Sequence, residues 1–425
     1  MAELIKQAFL VTAAAELVDA EGRGDVLIEE GQIVAIAPSI NDRPPETAIL
    51  DASGQFLGPG LIDLYSQSGE PGHEPRETRD SLRAAAAAGG FTRVGLLPNT
   101  NIVTDSVEAI AAIQKGNTSS LPQLLPWCAI TLGTQGEQLS ELGELAEAGA
   151  LGFTDGVPIA NTALLRRLLE YARPLQKTLA LWPCDLQVAG GGVAREGADA
   201  LRLGLVGVSA IAETTAIATL LEYIVEVPAR VHIMRVSTAR GVELIRQAKA
   251  RNLPVTASVA WHHLLFDTQD LETYNPSLRH SPPLGRPADR QALIEGVAEG
   301  VIDAIAIDHS PYTYEEKTVS FDAAPPGAIG LELALPILWQ TFVETRQWSA
   351  LRLWECLCDR PAKCLNLTPG KLEINVPAEL TLFDPHARWN VTAQNLKSLA
   401  YNTPWAGKTI QGKVSKLWAP RPADL

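Results

Sequence analysis

The middle of the chain alternates short apolar runs with segments whose apolar residues recur at helical spacing. The apolar runs are bounded by glycine, proline and polar residues, which is typical of buried strands. Eight strands are predicted, at residues 61–66, 92–97, 127–132, 150–154, 178–182, 231–236, 255–259 and 304–307. Eight strands separated by helices predict an α/β fold of the (β/α)₈ TIM barrel type, with its chemistry at the carboxyl ends of the strands.

Both ends of the chain have a β pattern instead. Strands are predicted at 4–12, 25–29, 32–36, 48–51 and 55–57, with a hairpin turn at Glu30-Gly31. The C-terminal part repeats the pattern at 378–383, 389–391 and 413–418. We therefore expect residues 1–58 and 373–425 to build one small split β-sandwich domain, and residues 59–372 to form the barrel.

Composition and charge exclude several classes of function. The chain has 425 residues, of which 46% are hydrophobic and 20% charged, with a formal net charge of −14. This acidic balance argues against a nucleic-acid groove and against attraction to an anionic membrane. Its five cysteines have no zinc-finger spacing, and no apolar run is long enough to span a bilayer. We expect a cytoplasmic protein with free thiols.

Several short motifs occur in a fixed order along the chain. They are Pro59-Gly-Leu-Ile-Asp63, Glu70-Pro-Gly72, Gly89-Gly-Phe-Thr92, Pro98-Asn-Thr100, His262-His-Leu-Leu265, Pro282-Pro-Leu284, Asp308-His-Ser-Pro311 and Gly330-Leu-Glu332. In these motifs the chain resembles the amidohydrolase superfamily, and within it the dihydroorotase and allantoinase branch. The resemblance runs nearly from end to end and includes the split β domain.

The resemblance implies a zinc site whose ligands this sequence has largely lost. In the family a His-x-His pair, two further histidines and two acidic or carboxylated residues hold the metal. The corresponding positions here are Tyr65, Gln67, Asp155, Trp182, Arg235 and Asp308. All four histidines are replaced, so no metal or other cofactor is expected, although the family uses zinc. A hard ion such as Mg²⁺ on Asp155, Asp308 and Gln67 is a weaker alternative.

Arg235 distinguishes between these interpretations. Two carboxylates facing each other without a metal would be costly in a poorly solvated cavity. A guanidinium is permanently charged and can pair with both. We therefore predict that Arg235 occupies the metal position and forms salt bridges with Asp155 and Asp308. The alternative is an exposed arginine that points elsewhere.

The substrate positions that the resemblance implies are lost to a similar extent. Gly69, Ser281 and Tyr312 stand where the family has an arginine, an asparagine and a histidine, and Gly285 replaces a further arginine. Asn99 and the Pro326-Gly327 turn are retained, and the turn is expected to offer backbone groups. Asp308 corresponds to the general base of the family, which is not expected to function here.

Three functions remain open at this point. By resemblance, the chain is most similar to inactive dihydroorotase homologues that serve as structural or regulatory partners of aspartate transcarbamoylase in pyrimidine biosynthesis, and an oligomer is expected. The second is an active dihydroorotase or other cyclic amidohydrolase with an atypical metal site. The third is a sensor that binds a ureide or carbamoyl compound through Asn99 and Arg235.

Overall fold

Eight parallel strands form the centre of the molecule. A computed structural model describes residues 2–14, 17–117 and 122–419. In chain order the barrel strands are Leu61–Ser66, Phe91–Leu96, Gln123–Cys128, Gly152–Phe153, Thr178–Leu181, Val231–Ile233, Val255–Ala260 and Ala304–Ala306, and each pairs with the next. We refer to them as barrel strands 1 to 8. The predicted TIM barrel is confirmed.

One predicted strand is misplaced. Barrel strand 3 covers Gln123–Cys128 and not residues 127–132. Its partner register places Pro126 opposite Leu96, so the proline lies inside the strand. Proline is unusual inside a central strand because it lacks the N–H that such a strand normally donates. Residues beyond Cys128 leave the sheet and enter the short helical turn Leu132–Thr134.

Helices cover the outside of the barrel and connect its strands. They are Arg79–Ala88, Val107–Asn117, Leu142–Glu147, Thr162–Ala172, Leu186–Ala189, Ala198–Arg202, Ile211–Glu226, Ala239–Ala250, His262–Leu265, Pro287–Glu299, Tyr314–Lys317, Ala334–Leu338, Ala350–Leu357 and Asp359–Leu365. Short 3₁₀ turns lie at Arg173–Leu175, Thr268–Thr273 and Pro276–Leu278, and a π turn at Trp339–Val343. None of the described helices is both long enough and apolar enough to cross a membrane.

Side chains complete the barrel between strands 1 and 8, which stand at the two ends of the sheet order. The Oδ1 atom of Asp63 accepts the N–H of Ile307 at 2.8 Å. The Gln67 N–H donates to the His309 carbonyl at 2.8 Å, and the His309 N–H donates to the Ser66 hydroxyl at 3.2 Å. Burial raises the pKa of Asp63 to about 7. A carboxyl group thus joins strand ends that no backbone ladder connects.

A second sheet contains strands from both ends of the chain, as in the β-sandwich that accompanies such barrels. Its strands are Ala2–Leu10, Arg23–Glu29, Gln32–Ala37, Ala48–Asp51, Phe56–Pro59, Val376–Pro377, Leu380–Asn390 and Thr409–Trp418. The predicted strands 378–383 and 389–391 are one strand, Leu380–Asn390, with register shifts that accommodate Pro385. The domain limits at residues 58 and 373 stay a prediction.

A buried ion pair connects the terminal sheet to the barrel. Arg93 on barrel strand 2 donates from Nε to the Oε1 atom of Glu379 at 2.9 Å, and the two side chains are 9% and 3% exposed. The Thr92 hydroxyl donates to the same carboxylate at 2.7 Å. Because both charges are withdrawn from water, each depends on the other for compensation.

We predict that Glu379→Ala lowers the free energy of unfolding by about 3 kcal/mol or more, because it leaves the Arg93 guanidinium buried without a carboxylate. Urea denaturation followed by circular dichroism measures this change. The control is Glu170→Ala, which removes the ion pair between Arg166 and Glu170. The side chains of these two residues are 59% and 50% exposed. That variant should change stability by less than about 1 kcal/mol. Equal effects of the two substitutions would contradict the assignment of Arg93–Glu379 as the connection between the domains.

Candidate functional site

Two side chains from the ends of barrel strands 6 and 8 meet at the mouth of the barrel. Arg235 follows strand 6 and Asp308 follows strand 8, with φ angles of 55° and 50°. Non-glycine residues adopt this left-handed conformation rarely, and such residues concentrate at functional sites. Both positions correspond to metal ligands in the family resemblance. Arg235 replaces a histidine ligand, and Asp308 keeps the aspartate.

Arg235 and Asp308 form a two-pronged ion pair. Nε donates to Oδ2 at 2.8 Å and Nη2 to Oδ1 at 2.7 Å, and the side chains are 5% and 15% exposed. Burial alone would lower the pKa of Arg235, but the Asp308 carboxylate outweighs this and raises it, so the guanidinium stays charged. The predicted pairing of these two residues is present, and the alternative of an exposed Arg235 is wrong.

The predicted salt bridge from Arg235 to Asp155 is not formed. Asp155 accepts the Thr131 N–H at 2.9 Å and the Thr131 hydroxyl at 2.6 Å. The remaining prong of Arg235, Nη1, donates at 2.9 Å to the carbonyl of Gly156, the neighbour of Asp155. Burial raises the pKa of Asp155, although the bonds from Thr131 oppose this. The carboxylate is therefore held by a neutral residue from the loop after barrel strand 3, a partner that the sequence pattern did not reveal.

Aromatic rings surround the guanidinium of Arg235. Tyr65 is fully buried, and its hydroxyl lies 2.9 Å from the Ser258 hydroxyl. The same hydroxyl accepts the backbone N–H of Arg235 at 3.2 Å. The guanidinium carbon lies 5.6 Å from the centre of the Tyr65 ring and 4.8 Å from that of Trp182, within cation–π range. Burial raises the pKa of the Tyr65 phenol. Tyr65 and Trp182, which replace two histidine ligands of the family, thus stabilise the guanidinium of Arg235.

These residues do not fit the zinc that the resemblance implies. A protein zinc site needs at least three nitrogen, sulfur or oxygen ligands around one point. Across residues 2–14, 17–117 and 122–419, no group of three or more His, Cys, Asp or Glu side chains could hold a metal ion. The carboxylates of Asp155 and Asp308 are both engaged by donors, which also disfavours the Mg²⁺ alternative that included the half-buried Gln67.

The histidine of the Asp308-His-Ser-Pro311 motif belongs to a separate buried network. His309 Nδ1 accepts the Gly330 N–H at 3.2 Å, and Nε2 lies 3.4 Å from the Glu77 carboxylate. Burial would raise the pKa of Glu77, but bonds from His309, Ser398 and Ser81 lower it overall. This network joins the loop after barrel strand 1 to the C-terminal part of the chain.

The substrate positions are closed off by the backbone as well as by residue type. A Cβ atom on Gly69 would lie 2.1 Å from the His73 carbonyl oxygen, and one on Gly285 would lie 2.7 Å from the Asp289 Cβ. Neither site could take an arginine without backbone movement. Ser281 precedes a cis peptide bond to Pro282, and the Tyr312 ring packs against the Arg76 guanidinium at 5.0 Å.

The retained positions differ from one another. Asn99 is exposed at the mouth, beside Gly156. The prediction that the Pro326-Gly327 turn offers its backbone to a ligand is wrong for the Gly327 N–H, which donates to the Arg279 carbonyl at 2.7 Å. The Gly327 carbonyl lies 3.3 Å from the Asn402 side-chain nitrogen. The turn therefore hydrogen-bonds to two other segments, at Arg279 and at Asn402.

Comparisons with known proteins agree with this architecture. A family model described as "Dihydro-orotase-like" matches residues 54–239. A "Probable dihydroorotase-like protein" from Synechocystis sp. is 42% identical over 424 residues, which covers 93% of this chain and 95% of the relative. The chain belongs to the dihydroorotase-like family.

Further similarities place this dihydroorotase-like chain in the amidohydrolase superfamily, within a family of cyclic amidohydrolases. A dihydroorotase from Pelotomaculum thermopropionicum is 40% identical over 389 residues, covering 91% of each chain. The solved structure of an L-hydantoinase (dihydropyrimidinase) from Arthrobacter aurescens has a TM-score of 0.83 and 24% identity, covering 100% of this chain and 98% of the other. That structure shows the same barrel and β-sandwich fold.

A double-mutant cycle should reveal the coupling between Arg235 and Asp308. We predict that Arg235→Met lowers the free energy of unfolding by about 3 kcal/mol, because it leaves a mostly buried carboxylate unpaired. Combined with Asp308→Asn, the loss should be smaller than the sum of the single losses by about 1 kcal/mol or more. Chemical denaturation of the four proteins measures this difference. The exposed pair Arg166–Glu170 gives the matched control cycle. Additive losses at Arg235 and Asp308 would show that the pair does not hold the mouth together.

Proposed function

We propose that this dihydroorotase-like protein does not hydrolyse cyclic amides and that its barrel serves as a structural or regulatory subunit. The observation that carries the proposal is the ion pair at the mouth. Arg235 stands at the position of a metal-binding histidine and binds both oxygens of Asp308. The positive charge that a metal would supply at this point is supplied by a side chain.

A guanidinium cannot replace the chemical work of zinc. Zinc in a hydrolase lowers the pKa of a bound water to about 7 and so produces hydroxide at neutral pH. Arginine carries only N–H donors and has no position at which it could bind the oxygen of a water as a Lewis acid. Asp308, the family's general base, has both oxygens occupied by Arg235 and is poorly placed to accept a proton.

Loss of the substrate anchors supports the same conclusion. Gly69 and Gly285 stand at positions where the family has arginines, and the atoms around them leave no room for a longer side chain. Without a bidentate arginine, the substrate carboxylate lacks its main electrostatic partner at these positions. The losses at the metal position and at the anchors favour a non-hydrolytic protein over an enzyme with an unusual metal site.

The alternative of a ureide or carbamoyl sensor has less support, because Arg235, one of its two predicted binding residues, is already hydrogen-bonded. Each of the three Arg235 nitrogens already donates, two to Asp308 and one to the Gly156 carbonyl. Only the second N–H of Nη1 and of Nη2 is left for a ureide or carbamoyl ligand, on a side chain that is 5% exposed. Asn99 remains accessible at the mouth but would act without Arg235.

We predict that the protein purified without chelator, after growth with added zinc, contains no stoichiometric zinc and does not convert dihydroorotate to carbamoyl aspartate or the reverse. Elemental analysis and a coupled absorbance assay measure the two properties. A dihydroorotase relative with its histidine ligands intact, purified in parallel, is the positive control. One bound zinc per chain together with turnover would refute the proposal.

We also propose aspartate transcarbamoylase as the partner, on the basis of the family resemblance and of a barrel whose scaffold is retained while its site is altered. Affinity capture of the tagged full chain from its own organism, followed by mass spectrometry, should recover aspartate transcarbamoylase above the level found with an unrelated tagged bait. Size-exclusion chromatography of the mixed purified proteins should then give one joint peak. Separate elution of the two proteins would contradict the partnership.

A further inference from the structure

A cavity of about 240 Å³ opens beside the ion pair at the mouth. It lies between the segment that follows barrel strand 5 and the loop that follows barrel strand 7. Residues 182–184 and 189–192 line one side, and residues 279–283 the other. The charged residues in its wall are Arg195, Arg279 and Glu213.

Arg195 is a buried cation without a carboxylate partner among the described residues. It lies on the short strand Ala194–Arg195, is 1% exposed, and donates from Nη2 to the Ser237 hydroxyl at 2.6 Å. The Pro283 carbonyl lies 3.5 Å from the same nitrogen. Its Nε atom is buried with no partner, and Nη1 has no bond to any described residue. Arg93 and Arg235, comparably buried, each pair with a carboxylate.

Glu213, the acidic residue in the wall, is already fully engaged. Its carboxylate accepts the backbone N–H groups and the hydroxyls of Ser237 and Thr238. The Ser237 hydroxyl bridges the two charged groups: it accepts a hydrogen bond from Arg195 and donates one to Glu213. Glu213 and Arg195 form no direct ion pair. The wall therefore presents a guanidinium whose direct neighbours are neutral.

Two further side chains in the same wall each have one nitrogen atom without a hydrogen-bond partner among the described residues. The Nε atom of Arg279 and the Nε2 atom of His280 are buried and make no hydrogen bond within the described parts of the chain. Burial lowers the pKa of His280, and the neighbouring His262 and His263 lower it further. Buried polar atoms without a hydrogen-bond partner are rare in native proteins and call for an explanation.

We propose that this cavity binds the carboxylate of a small organic acid, with Arg195 as the principal anchor and Arg279 and His280 as additional contacts. A guanidinium presents paired N–H donors that match a carboxylate. Apolar side chains in the wall suit an organic body, with Pro183, Pro282, Pro283, Pro326, Val208 and Trp182 lining it. The cavity lies to the side of the Arg235–Asp308 pair and needs no metal. The inference does not rest on the absence of hydrolysis.

Isothermal titration calorimetry and thermal unfolding of the full chain test the proposal. Glutarate and benzoate are the charged probes, glutaramide and benzamide their uncharged counterparts, and inorganic phosphate forms a separate arm. At least one carboxylate should bind with a dissociation constant of about 1 mM or lower and raise the melting temperature. Its amide should bind about tenfold more weakly or not at all. Absence of binding by both carboxylates, equal binding of acid and amide, or binding of phosphate alone would overturn the proposal.

Variants locate the bound carboxylate. Arg279→Gln alters a half-buried residue and should weaken binding of the effective carboxylate about tenfold, as should Arg195→Gln if that protein remains folded by circular dichroism. Arg167→Gln, on the exposed face of the helix Thr162–Ala172, removes the same charge from a residue that does not line the cavity and should leave binding unchanged. Equal affinity in Arg279→Gln and Arg167→Gln would overturn the assignment. Zinc content and dihydroorotate turnover are measured separately, so failure here is distinct from failure of the proposed function.

Discussion

The structure of the barrel mouth depends on the buried ion pair between Arg235 and Asp308, which joins the ends of barrel strands 6 and 8. Removing a guanidinium and a carboxylate from water is costly, and their attraction offsets that cost only when the geometry is good and the remaining polar atoms are satisfied. Both conditions hold here, because Asp308 takes two prongs and the Gly156 carbonyl takes the third. The rings of Tyr65 and Trp182 complete the enclosure. The positive charge at the mouth is thus covalently part of the chain.

The barrel also has connections that do not involve the Arg235–Asp308 pair. Its strands are held by an extended apolar core and by polar links that do not involve Arg235, such as the Asp63 bond to Ile307 and the Arg93–Glu379 pair. Glu77 and His309 connect the strand ends to the C-terminal part of the chain. A scaffold with so many independent connections can keep its shape while the residues at its mouth change. This separation is consistent with 42% identity to a relative along nearly the whole chain.

Features that are encoded by short stretches of sequence could be predicted, whereas contacts that arise from tertiary packing could not. The barrel strands followed from apolar runs bounded by turn residues, and only strand 3 was displaced, because Pro126 masked it. The Arg235–Asp308 pair could be predicted because a charge lost from one position had to be balanced from another. Thr131 could not, since a threonine in a loop carries no pattern that marks it as the partner of Asp155. Arg195 was likewise hidden, because its burial and its missing partner are properties of packing.

The backbone at the two strand ends shows why the ion pair has a structural role beyond charge balance. Arg235 and Asp308 both hold positive φ angles, which cost on the order of 1–3 kcal/mol each for non-glycine residues. Such conformations persist only where surrounding contacts hold them. In a metal hydrolase, coordination would supply part of that restraint. Here the restraint comes from the two bonds between the residues themselves, together with those to Tyr65 and Gly156. The same pair that neutralises the mouth therefore also keeps its strand ends in their strained conformation, so a single replacement of Arg235 affects both.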